Sequence, residues 1–144
     1  MNPSAASIAS LLREVRTIAV VGLSPDPQRA SHEVASYLQA HGYRIIPVNP
    51  VCAGSTVLGE HCYPSLTMAG KAMREQGLKI DLVDCFRKSD AIEAIADEAI
   101  AIAAGALWMQ FGVINHVATK KAQAAGLHVV MDRCIKIDHA NIIT

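Results

Sequence analysis

The stretch Thr17-Ile-Ala-Val-Val-Gly-Leu-Ser-Pro-Asp-Pro-Gln-Arg-Ala-Ser31 decides the fold. Its first part, Thr17 to Leu23, is largely β-branched and shows no polar alternation, the pattern of a strand covered on both faces. A loop rich in proline and serine follows, and from about Ser31 the residues Val34, Ala35 and Leu38 take helical spacing. That helix is expected to stop at Gly42, which adopts left-handed backbone at little cost. A buried strand that turns directly into a helix opens a parallel α/β sheet.

On either side of this stretch the pattern repeats. Before it, Ser4 is placed to cap a helix whose apolar face is Ile8, Leu11, Leu12 and Val15. After it, Arg44 to Val48 forms a second strand, ended by Asn49-Pro50 because proline cannot donate to a sheet ladder. The stretch from Val51 to Pro64 is a long loop, of the kind that often carries function. Ser65 then starts a helix with Leu66, Ala69 and Met73 on one face, and Ile80 to Phe86 is a third strand. Ser89 is expected to cap a helix with Ile92, Ile95, Ala99 and Ile102 inward, ending near Gly105. Ala106 to Phe111 is the fourth strand. Asn115 caps a helix with Val117, Ala118, Ala122 and Ala125 inward, closed by Gly126, and His128 to Met131 is the fifth strand.

The chain is thus expected to be one domain over residues 1–144, α/β in class: a three-layer, Rossmann-like, doubly wound parallel sheet of about five strands. A strand order of 3-2-1-4-5 would reverse between the first and fourth strands, and ligands would bind outside their carboxyl ends, at the loops after Leu23 and Phe111.

Composition narrows the function. The 144 residues carry 13 Lys+Arg against 13 Asp+Glu, 51% hydrophobic and 18% charged, too apolar for a disordered chain and without the basic excess of a general nucleic-acid or anionic-membrane binder. No nucleic acid and no membrane are expected as partners. The longest apolar stretch, Ala99 to Met109, falls well short of the roughly 20 residues that span a bilayer. Neither a secretory signal nor a transit peptide is apparent at the N-terminus, so a cytoplasmic location is expected, with Cys52, Cys62, Cys85 and Cys134 as reduced thiols.

Chemistry concentrates in the first strand–helix loop. Backbone N–H groups and the positive helix end attract an anion, Gly22 permits close approach, Ser24 and Ser31 add hydroxyls, and Arg29 adds a bidentate fork. The loop is not G-x-G-x-x-G, since Ser24 and Pro27 replace the later glycines. At the end of the second strand, where a dinucleotide enzyme offers an acid to the ribose hydroxyls, this chain has Asn49 and Pro50. The histidines are scattered and form no catalytic triad spacing, and Cys52, His61 and Cys62 match no common zinc module. Trp108 and Met109 are assigned to the core, and Asp81 and Asp84 to opposite faces of one strand.

Taken together, the motifs resemble the small stand-alone CoA-binding proteins with a Rossmann-like fold, a family similar to the CoA-binding domain of succinyl-CoA ligases. The resemblance covers nearly the whole chain. It rests on Val21-Gly-Leu-Ser24 with Pro27, Arg29 and Ser31, on Tyr37-Leu38, Gly42-Tyr43 and Pro47-Val-Asn-Pro50, and on Gly59, Tyr63 and Ser65-Leu66. Asp81-Leu-Val-Asp-Cys-Phe-Arg87, Trp108-Met-Gln-Phe-Gly112, Asn115, Ala125-Gly126 and Met131-Asp-Arg-Cys134 complete it.

The resemblance implies coenzyme A at the carboxyl edge of the sheet, with its pyrophosphate on the loop that holds Gly22, Leu23, Ser24, Arg29 and Ser31. Val48, Asn49 and Pro50, with Phe86 and Arg87, would surround the adenosine part, while Gln110 and Gly112 would lie nearer the pantetheine arm. Two functions are open: a non-catalytic module that binds CoA or acyl-CoA as carrier or sensor, or an oxidoreductase or acyl-transfer enzyme with a nucleotide cofactor in the same pocket.

Overall fold

A computed structural model describes residues 2–143. In chain order the helices are α1 (Ala5–Glu14), α2 (Ala30–Ala40), α3 (Leu66–Glu75), α4 (Ile92–Ala101), α5 (His116–Ala124) and α6 (Ile135–Ile142). The strands are β1 (Thr17–Val21), β2 (Arg44–Val48), β3 (Thr56–Val57), β4 (Glu60–His61), β5 (Leu82–Cys85), β6 (Ala106–Met109) and β7 (His128–Val130). Five strands form one parallel sheet in the order β2-β1-β5-β6-β7. The architecture is therefore α/β and Rossmann-like, but the anticipated strand order is corrected. Counting core strands along the chain, the order is 2-1-3-4-5, so the direction of winding reverses between β1 and β5. The third strand pairs with the first, Val20 opposite Asp84 and Val21 opposite Cys85, instead of extending the edge beyond β2.

Side chains leave β1 alternately to its two faces, as the period of a strand requires. Ile18 and Val20 join Ile8, Leu12, Val34, Leu38 and Ile135, so α1, α2 and α6 cover one face. Ala19 and Val21 join Leu66, Met73, Ile92, Ile95, Ala118 and Ala122, which puts α3, α4 and α5 on the other. With a helical layer on each side, β1, β5 and β6 are buried along their whole length. That is why their sequences are uninterrupted apolar runs apart from Thr17 and Asp84.

Local signals set most element ends. Ser4, Ser65 and Asn115 each accept a backbone N–H from the first turn of the following helix. Gly42 and Gly126 take positive φ just past α2 and α5. Other expectations are corrected. Ser89 caps no helix; a 3₁₀ turn at Ser89–Ala91 leads into α4, and its hydroxyl instead accepts from the Ile114 N–H at 2.9 Å. The left-handed residue after α4 is Ala103, at φ 59°, and Gly105 is kept small by the Asp81 carbonyl, 3.0 Å from where its Cβ would stand. On α5 the buried positions are Ala118, Thr119 and Ala122, while Val117 and Ala125 face outward. The long loop contains a small hairpin of β3 and β4, and α6 adds a C-terminal helix that the strand–helix alternation did not announce.

Candidate functional site: the carboxyl edge between β1 and β5

Reversal of winding between β1 and β5 splays the segments that leave their carboxyl ends, and such a crevice is where open α/β sheets bind ligands. Gly22, the first residue after β1, sits at φ 90° and donates its N–H to the Val48 carbonyl at 2.8 Å. A Cβ here would lie 2.4 Å from the Phe86 carbonyl oxygen and 3.0 Å from Arg87 Cδ. The position therefore needs glycine twice over, for its backbone conformation and because the segment after β5 crosses directly above it. The fourth-strand loop, expected to share the switch point, stands one strand farther away.

From Gly22 to Ser31 the loop is held by its own hydrogen bonds. The Ser24 N–H donates to the Ser31 hydroxyl at 2.9 Å, the Asp26 N–H to the Ser24 hydroxyl at 3.0 Å, and the Gln28 N–H to the Asp26 carboxylate at 2.9 Å. Leu23 is fully buried, so only its backbone faces the loop. Helix α2 begins at Ala30 with Arg29 as N-cap and no side chain capping it. Its first turn thus keeps donors and the positive end of the dipole, and Arg29 is exposed beside them with no side-chain partner among the described residues. Ser31 braces Ser24 and does not cap the helix.

A cleft of about 270 Å³ opens at the same edge. Val21, Val48 and Pro50 form one wall, Ser65 and Leu66 at the start of α3 another, and Ala91, Ala94 and Ile95 a third, with Arg87 also lining it. Three of the five residues assigned to the adenosine region, Val48, Pro50 and Arg87, are therefore brought together. Phe86 packs against the opposite core layer, and Asn49 acts from below. Its amide donates to the Leu23 carbonyl at 3.0 Å and its side-chain oxygen accepts from the Val51 N–H at 3.0 Å. Sequence reasoning missed the contributions of Leu66, Ala91 and Ala94. Their only signal was position, since helix starts that follow parallel strands gather at this edge.

At the end of β6 the structure separates the remaining candidates. Gln110 is buried, and its side-chain oxygen accepts the Ile135 N–H at 3.1 Å, so it secures the first turn of α6. Gly112, at φ 76°, donates its N–H to the Asp132 carboxylate at 2.7 Å. Between them Phe111 is 64% exposed, an aromatic face on the ligand edge where the sequence suggested the end of a buried strand.

Asp84 is the second residue that sequence reasoning underrated. It lies on β5 opposite Val20 and Trp108, fully buried, and neither carboxylate oxygen has a hydrogen-bond partner. Burial pushes its carboxyl well above the usual carboxylate range. Asp81 has the contrasting role, accepting the Arg16 and Thr17 N–H groups at 2.9 Å each. Trp108 is a core residue, its indole N–H donating to the Arg133 carbonyl at 2.7 Å.

Other groups form no metal centre: among the described residues, no three His, Cys, Asp or Glu converge as a ligand set. His139 belongs to an aromatic cluster, 2.8 Å from the Tyr37 hydroxyl, and burial followed by the nearby His41 lowers its pKa. Among the described residues, no helix is long and apolar enough to cross a membrane.

A doubly wound parallel sheet with helices on both faces and a switch point between β1 and β5 defines the Rossmann-like class of fold. Within that class, residues 16–140 match the CoA binding domain, and the chain belongs to this family. It is 40% identical over 139 residues to YneT of Bacillus subtilis strain 168, covering 96% of each chain. A hypothetical protein from Pyrococcus horikoshii superimposes with a TM-score of 0.88 at 35% identity, over 99% of this chain and 94% of the other. A Thermus thermophilus protein gives 0.84 at 32% identity, over 97% and 99%.

Proposed function

We propose that the protein binds coenzyme A or an acyl-CoA at this edge, as a single non-catalytic domain serving as carrier or sensor. The observation that carries this reading is that the uncapped start of α2 with exposed Arg29 and the Arg87-lined cleft both open at the carboxyl edge of the sheet, where the Gly22 backbone passes against Phe86 and Arg87. The donor set suits the ligand's two phosphate positions. The pyrophosphate takes the α2 N-terminus and Arg29, through charge-assisted hydrogen bonds that do not need a second glycine. The 3′-phosphate lies toward Arg87, and the adenine lies between Val48, Pro50, Leu66 and Ala91; the one acid lining this cleft, Glu98, accepts from the Thr67 N–H and hydroxyl, and the end of β2, where a dinucleotide enzyme offers an acid to the ribose hydroxyls, carries Asn49. Ser24 and Ser31 keep the loop in shape, and the pantetheine arm passes toward Gly112 and the exposed Phe111.

Calorimetry with CoA, dephospho-CoA and NAD on the full chain tests this. CoA should bind most tightly, and its advantage over dephospho-CoA should shrink as salt screens the phosphate. Equal affinity for CoA and dephospho-CoA would remove the role of Arg87, and tighter binding of NAD would overturn the ligand class.

A further inference from the structure

Cysteines 52 and 62 are separated in sequence by the hairpin of β3 and β4, yet their sulfurs stand 3.1 Å apart. The turn is closed by backbone bonds on both sides, from Gly54 N–H to the Cys62 carbonyl and from Cys62 N–H to the Ser55 carbonyl, both at 2.9 Å. A disulfide needs sulfurs about 2.05 Å apart, so closure requires the two sulfurs to approach by about 1 Å. The two thiols differ in access: Cys52 is half-buried on the 3₁₀ turn Pro50–Cys52 that leaves β2, beside the fully exposed Val51, while Cys62 is sealed in the core. Burial, with the Cys52 sulfur alongside, pushes the Cys62 thiol up to about 12, so at neutral pH the inner sulfur stays protonated.

We propose that Cys52 and Cys62 are a redox-active dithiol that reduces low-molecular-weight disulfides, Cys52 attacking and Cys62 resolving. The Cys52 thiolate attacks one sulfur of the small disulfide, whose S–S bond breaks to release one thiolate and leave a mixed disulfide on Cys52. Cys62 gives up its proton and attacks Cys52 as the thiolate, the second small thiolate departs, and the two departing thiolates take up the two protons that Cys52 and Cys62 release. The protein has lost two electrons and two protons to one disulfide, which becomes two thiols. The inference stands on the paired sulfurs and not on which ligand fills the cleft. It is connected to the cleft all the same: the Asn49 carbonyl touches both sulfurs, at 3.9 Å from Cys52 and 3.5 Å from Cys62, and the Asn49 amide holds Leu23 in the loop after β1. The pantetheine end of a bound CoA is placed near Gly112, three strands away from β2, so CoA disulfide and glutathione disulfide alike reach Cys52 from solvent.

The test is to incubate the reduced full chain with CoA disulfide or with glutathione disulfide, quench in acid, alkylate, and map the cysteines by mass. The expected result is a Cys52–Cys62 crosslink with Cys85 and Cys134 still alkylated. Cys62→Ala, which keeps the inner site apolar, should instead accumulate the mixed disulfide at Cys52, and Cys52→Ser should yield neither product. Similar rates with the two disulfides are expected, because both approach Cys52 from solvent. A mixed disulfide that persists in the wild type, first reaction at Cys85 or Cys134, or four alkylatable thiols after both treatments would overturn the proposal.

Discussion

The side-chain amide of Asn49 donates to the Leu23 carbonyl at 3.0 Å, joining the end of β2 to the loop after β1. Through that bond the edge strand fixes the backbone from which the first helix is launched. Asn49→Ala removes it together with the bond to the Val51 N–H, so a loss of about 1–3 kcal/mol is expected in chemical denaturation. CoA affinity should fall in the same variant, because the loop loses its brace. Unchanged stability would show that the brace is dispensable.

Gly22 and Gly54 share positive φ, 90° and 86°, but differ in surroundings. At Gly54 an added Cβ meets nothing within 4 Å, whereas at Gly22 it meets the Phe86 carbonyl. Gly54→Ala should therefore cost only the backbone strain, about 1 kcal/mol, and Gly22→Ala several times more, with loss of CoA binding. Parallel melting curves decide the matter, and similar Tm values for the two variants would contradict the close crossing of the β1 and β5 loops.

Arg29 and Arg87 should be separable by ligand. Arg29→Ala should weaken CoA and dephospho-CoA alike, by about tenfold or more, since both carry the pyrophosphate. Arg87→Ala should weaken CoA and leave dephospho-CoA nearly unchanged. A Lys71→Ala control, on the exposed side of α3, should alter neither affinity in calorimetry.

Asp84 gives a pH signature. Its carboxyl is pushed above the ordinary 3.8 by burial, so above that pH the unfolded chain releases a proton that the folded chain keeps. Folding stability from this group is complete below the ordinary value and declines as pH rises toward the folded one, by up to about 1.4 kcal/mol per pH unit. Asp84→Asn cannot titrate, so its stability relative to wild type should climb with pH above about 4 and level off once the folded carboxyl ionises. Denaturant titrations across pH 3 to 8 measure this; a difference that stays constant with pH would mean that the folded carboxyl ionises normally.

Much of this molecule could be read from local pattern. The strands β1, β2, β5, β6 and β7 follow from β-branched or apolar runs, and the caps at Ser4, Ser65 and Asn115 from hydroxyl or amide side chains that reach backbone donors three residues on. The course of Gly22 to Ser31 from a strand end to a helix start was legible for the same reason, because the strand, the turn and the helix start are contiguous in the chain.

Tertiary structure decided what depends on distance across the sheet. Crossover helices fix that neighbouring strands run parallel, but not on which side of β1 the third strand inserts, and that choice moved the switch point from the fourth-strand loop to the segment of Phe86 and Arg87. Gln110 went to the start of α6 and Phe111 to the surface because α6 packs over the end of β6, a contact that no short-range pattern encodes. Asp84 looked like one of two acids on a strand until the layers closed on it from both sides, and Cys52 and Cys62 looked like scattered thiols until the hairpin folded one onto the other. Hydrogen bonding and periodicity act over a few residues, so the sequence alone determined the elements; burial and long-range pairing act between elements, so only the folded chain could place their side chains together.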